Sequence, residues 1–324
     1  MNRRSSATAC LGLLLSFAGC GTAPQGPLPS PAQLISTAEA LLQEERYEEA
    51  VTALALTLGD ATPKRLRDRR DFAYARAEYG RGQPWASFVL LEKFSDKHPL
   101  SELRPQVMKM LWSISQTLLE RDRSFWIFWS DRNGARNVLE HLITRHPDSQ
   151  RLADALRILG DMAFEEEDYE LAQERYREII LERPDSDWRF YANYRFAMSI
   201  VASLRGPDYD LDGMSLAATE LRTFLRTAPE NPQMLADAEQ ALQKVLRWQM
   251  QRHIDVVSYY GKLDNAEGQL HHARLATSDE FQGLPGFDEA VALRERLEAE
   301  HVPPEIGPAL RLARHPLLEH LGRA

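Results

Sequence analysis

The chain has 324 residues, with 39 Lys and Arg against 48 Asp and Glu, a formal net charge of −9. Hydrophobic residues make up 44% and charged residues 27%, the balance of a folded globular protein. Without a basic block to neutralise phosphates, this composition argues against a nucleic-acid partner, while the length permits two average domains or one long repeat array.

Arg3 and Arg4 precede a short apolar run, Leu11 to Ala18, closed by Ala18-Gly19-Cys20. A bilayer span needs about 20 apolar residues, so this run is too short to cross; it fits a secretory signal peptide over residues 1–19. Ala18-Gly19-Cys20 resembles a lipobox, with Phe17 where Leu is usual. In lipoproteins that Cys becomes the acylated first residue, so Cys20 is the expected lipidation site. The chain has only one other cysteine, Cys10, inside the signal segment. The processed chain would then hold no disulfide and no Cys nucleophile. Its charge would pass from −9 to −11, because residues 1–19 contain two arginines and no acids. Pro24, Pro27, Pro29 and Pro31 make residues 20–31 an extended tether of about 30 Å.

From there the apolar spacing is helical, and no segment reads as a sheet. About thirteen helices are expected over residues 32–300, with Phe287–Glu298 as a terminal cap and residues 301–324 as a tail. Between Ala153 and Pro184, Leu156, Leu159, Gly160 and Ala163 share one helical face, followed by Tyr169, Ala172, Tyr176, Ile179 and Pro184. Small Gly160 and Ala172 would let two antiparallel helices approach, with Tyr169 and Tyr176 filling the gap around them. This segment resembles a tetratricopeptide repeat. Weaker copies place small second-helix residues at Ala50, Ala86, Ala135, Ala217 and Ala266. The expected fold is all-α: a right-handed solenoid of five to six helix pairs with a C-terminal capping helix.

Candidate chemistry is sparse. Asp208, Asp210 and Asp212 before Gly213 match the first half of a calcium loop, but the twelfth position is Thr219 and not a bidentate Glu. The competing reading is an acidic cap on a helix starting near Met214. His271 and His272 are adjacent and should diverge; His315 and His320 have Pro316 between them. No HExxH, paired Cys or Gly-rich phosphate loop occurs, so neither an enzyme nor a cofactor is expected. Phe125 to Trp129 is a dense aromatic run, read as buried against an extended helix or as a contact with a partner or the membrane interface. Asp154, Arg157, Asp161 and Phe164 lie about 130° around the helix from Leu156 and Gly160, at 100° per residue. They are candidates to face a groove that takes an extended peptide or the edge of a partner.

The order of features resembles the outer-membrane assembly lipoprotein family BamD. The resemblance rests on the Cys20 lipobox, the Pro-rich tether, the slightly long repeats, Asp131 to Asn133 opening a second helix, and Val256 to Lys262 with its Tyr259-Tyr260 pair. It covers most of residues 20–298; the chain is longer than typical members, and the tail has no counterpart. It implies a scaffold held by lipid at the periplasmic face of the outer membrane. Partners would be periplasmic proteins, the β-barrel insertase complex first among them, with Arg252 and Tyr259 as further contact residues. The alternative is a repeat lipoprotein serving another envelope complex, in peptidoglycan synthesis, secretion or a Tol-type assembly.

Overall fold

The computed structural model describes residues 29–301 except 59–61, 122–123, 126–128, 209 and 228–230. Cys20, the signal segment and the C-terminal tail therefore lie outside the described residues. Thirteen α-helices are found among those described. The chain divides into two compact units, residues 1–90 and 91–324, and the division falls within the fourth helix. No helix among the described residues is long and apolar enough to cross a membrane.

The first unit holds α1 (Pro31–Gln43), α2 (Tyr47–Ala55), α3 (Lys64–Gly80) and the start of α4 (Pro84–Lys97). Ser30 begins α1 with a reciprocal cap: its hydroxyl accepts the Gln33 N–H, and Gln33 Oε1 accepts the Ser30 N–H at 2.9 Å. Pro31 follows at the first helical turn, where its missing N–H costs nothing. The core is Ile35, Ala38, Leu42, Ala50, Leu54, Ala73 and Ala77, drawn from all three complete helices.

The second unit continues with α5 (Arg104–Arg121), α6 (Asp131–Arg145), α7 (Leu152–Glu165), α8 (Tyr169–Glu182), α9 (Arg189–Ser203), α10 (Leu211–Thr227), α11 (Pro232–Lys262), α12 (Ala266–Ala276) and α13 (Phe287–His301). From α5 onward each helix packs on the next in chain order. One continuous apolar cluster runs from Leu152 to Ala290. As the spacing predicted, Gly160 faces Tyr176. A Cβ at Gly160 would sit 2.7 Å from the ring, so only glycine permits that helix approach. Leu156, Leu159, Ala163, Ala172 and Tyr176 are all buried beside it.

Two turn types recur. Glu45, Gly82, Glu167 and Asp264 have positive φ (59°, 74°, 63° and 53°). After each, the next N–H bonds the carbonyl five residues back: Arg46 to Leu41, Gln83 to Glu78, Asp168 to Ala163, Asn265 to Tyr260, at 2.9–3.1 Å. This left-handed closure ends α1, α3, α7 and α11 alike. The second type follows α4, α6 and α8. There the N–H groups of Ser101, Ser149 and Ser186 bond the carbonyls of His98, His146 and Arg183 at 2.9–3.1 Å. Each Ser hydroxyl then accepts the N–H two residues on, at 3.1–3.2 Å. Helix pairs joined by one turn chemistry and separated by another are what an internal repeat looks like in hydrogen bonds.

Three expectations need correction. A sheet was not anticipated, yet Ser124–Phe125 (β1) pairs antiparallel with Trp129–Ser130 (β2), a two-residue ladder inside the aromatic run. The side chains of residues 122–129 lie outside the described residues. In the fourth helix the fully buried small residue is Ser87 and not Ala86. Ser87 stands three residues after Pro84, as Ala50 and Ala172 stand after Tyr47 and Tyr169. Its hydroxyl donates to the Ala75 carbonyl at 2.8 Å, so a polar residue is accepted there once it is bonded. The helix after the acidic loop starts at Leu211, three residues earlier than expected. Asp210 starts it, its carboxylate accepting the Gly213 N–H at 2.8 Å and its carbonyl the Met214 N–H at 3.0 Å.

Candidate functional site

The four groove candidates on α7 do not stand free in solvent. They are half-buried and engaged with residues of α8 and α9. Asp161 is the centre. Its Oδ1 accepts hydrogen bonds from the Tyr176 hydroxyl at 2.7 Å and the Tyr191 hydroxyl at 2.6 Å, and Arg157 Nη1 donates to its Oδ2 at 2.6 Å. Arg195 Nε lies 3.6 Å from Oδ1 and donates to the Tyr176 hydroxyl oxygen at 3.1 Å. The Asp161 side chain is only 20% exposed, so its charge is held by four partners and not by water.

Each arginine also lies on an aromatic face. The Arg195 guanidinium carbon is 3.8 Å from the Phe164 ring centre, and that of Arg157 is 4.4 Å from the Trp188 ring. Trp188 Nε1 in turn donates to Asp154 Oδ1 at 3.0 Å. Delocalised, weakly hydrated guanidinium suits such stacking better than an ammonium. Burial raises the pKa of both Tyr176 and Tyr191, and the Asp161 carboxylate raises both further. They stay protonated donors across the physiological range.

The pattern extends along alternate helices. Arg151, beginning α7, lies 5.4 Å from the Trp112 ring of α5, and Lys244 lies 4.5 Å from the Trp248 ring on α11. Open cavities accompany them. One of about 570 Å³ is lined by Met108, Lys109, Trp112 and Arg151. A second, of about 520 Å³, lies on the other side of Arg151, between Asp154, Glu182, Asp185 and Trp188. A third, of about 470 Å³, is lined by Met198 and Val201 of α9 with Asp237, Lys244 and Arg247 of α11. The arrangement brings stacked cations, aromatic rings and carboxylates beside open cavities.

No protein-family model matches the chain, and no curated protein matches it.

The remaining candidates are dispersed. Tyr259 is 57% exposed, with its ring edge-on to Tyr260, while Arg252 is half-buried seven residues earlier on α11. Neither joins the Asp161 network. In the Asp208, Asp210 and Asp212 loop, Asp210 caps α10, and among the described residues no three His, Cys, Asp or Glu side chains are grouped to hold a metal. Two histidine contacts were not anticipated. His141 and His146 both reach Ser95 Oγ through Nε2 at 3.2 Å. His253 and His272, from neighbouring helices, approach through Nδ1 at 3.2 Å. Trp188, Tyr191 and Arg195 were not foreseen either; the only sequence trace of them is their place at the start of the helix following the clean repeat.

Proposed function

We propose that the protein is a tetratricopeptide-repeat scaffold, lipid-anchored through Cys20 at the periplasmic face of the outer membrane. It would bind partner proteins without chemistry on a substrate. The pairs α1–α2, α3–α4, α5–α6, α7–α8, α9–α10 and α11–α12 would be its repeats, wound as a right-handed solenoid, with α13 as the cap. The single observation that carries the reading is the row of stacked cations and aromatics on α5, α7, α9 and α11, lined with open cavities. Aromatic and Arg side chains are the groups that concentrate binding energy at protein interfaces. Networks such as that around Asp161 hold them in place beforehand, which lowers the entropy cost of association.

The specific assignment, a BamD-like role in assembling outer-membrane β-barrels, rests on the order of lipobox, tether, repeats and late Tyr-Tyr helix. The alternative is a scaffold for another envelope complex. Affinity capture with the full-length, membrane-extracted protein separates them. Recovery of the β-barrel insertase, reduced by Arg151→Ala combined with Trp112→Ala, supports the first. Reproducible recovery of cell-wall or secretion enzymes in its place overturns it. A Cys20→Ser protein that still fractionates with membranes and still incorporates labelled fatty acid would overturn the anchor.

A further inference from the structure

The His253–His272 pair stands apart from the surface described above. His253 lies midway along α11 and His272 on α12, nineteen residues later. Their Nδ1 atoms are 3.2 Å apart while their ring centres are 5.4 Å apart, so the two nitrogens lean toward each other. Aromatic neighbours hold the rings. Tyr260 stacks on His272 with centres 5.7 Å apart and planes 24° apart, and Phe281 lies 6.5 Å from His253. Both rings are half-buried and reachable from solvent, and His271 stands exposed beside them, its ring edge-on to His272 at 5.1 Å.

Two imidazole nitrogens at this spacing are placed as neighbouring ligands on one metal ion. With metal–nitrogen bonds of about 2.0–2.1 Å, a 3.2 Å separation subtends an angle of about 100°, between the square-planar and tetrahedral values. We propose that His253 and His272 form a two-nitrogen chelate for a borderline divalent transition metal, with copper(II) held most tightly and nickel and zinc more weakly. Imidazole suits these ions, and the ranking follows their general order of affinity for nitrogen ligands. No third grouped ligand exists among the described residues, so water completes the coordination and the ion stays exchangeable.

Arg252 opposes an incoming cation; Glu280 favours it, although it is bonded to Arg222 at 3.0 Å. The chelate thus has to form through its nitrogens and not through a general negative field.

The test is a titration of the untagged full-length protein with copper(II), read by calorimetry and by electron paramagnetic resonance. One equivalent should bind with a two-nitrogen signature. His253→Ala and His272→Ala should each weaken binding beyond the roughly 10–100-fold that loss of a merely supporting partner costs. His271→Ala should leave it within about twofold, by the same comparison. His253→Asn and His272→Asn, which keep most of the shape, should behave as the alanine variants do. The absence of stoichiometric binding at pH 7 would overturn the proposal. So would binding that survives both single variants, or binding abolished by His271→Ala alone.

Discussion

Asp161 shows how little of a residue's surroundings a local pattern carries. Helical spacing places it on the face away from Leu156 and Gly160, and that face was read as open groove. Its partners Tyr176 and Tyr191 come from the next two helices, fifteen and thirty residues on, and no local pattern announces them. Replacing it by Asn keeps the size and removes the charge. Two tyrosine hydroxyls and two guanidinium groups then compete for a neutral amide that also carries donors. Asp161→Asn should cost about 2–4 kcal/mol of stability, measured by urea unfolding. His146 makes a second residue-scale prediction. It is 2% exposed, and burial, helped by His141, Arg104 and Arg145, lowers its pKa to about 4 from an ordinary 6.5; Asp148 opposes. Folding therefore favours the neutral ring. Its contribution is complete above pH 6.5 and is lost as pH falls from there towards 4, by roughly 3 kcal/mol in all. The slope of unfolding free energy against pH in that window should flatten in His146→Asn relative to the wild type.

At the scale of elements, much was legible. Gly160 against Tyr176, the buried face of α7 and the terminal helix at Phe287 follow from apolar period and from small residues at fixed offsets. Helix starts were less legible, because caps depend on one side chain. Asp210 took the cap four residues ahead of the expected start at Met214, where sequence alone offered three equivalent aspartates. The intra-pair turns carry a testable cost. Glu45, Glu167 and Asp264 occupy the left-handed region that Gly82 occupies without strain. An L-residue there costs about 1–2 kcal/mol, partly offset by the greater chain entropy that glycine loses on folding. Glu45→Gly, Glu167→Gly and Asp264→Gly should therefore each stabilise the fold by about 0.5–1 kcal/mol, read as a raised urea midpoint. The three sites lie in separate turns, so the triple variant should show their sum.

For the whole molecule, composition and periodicity carried the class: all-helical, with neighbours packed in chain order. They could not carry the pairing of side chains between helices. The cation–aromatic stacks between helices and the His253–His272 approach join positions whose separations, from 19 to 39 residues, depend on the lengths of the helices and turns between them. A copy-to-copy template therefore cannot foretell them.

The long helix α11 has a mechanical consequence. Its 31 residues span about 46 Å at 1.5 Å per residue. It packs on α9 and α10 and also on α12. Between Gln233 and Tyr260 it contains neither proline nor glycine, so nothing in its sequence marks a place to bend. It acts as a rigid strut shared by consecutive helix pairs. Elements that sit on either side of it, α9 and α12, thus share one unbroken backbone as their common support.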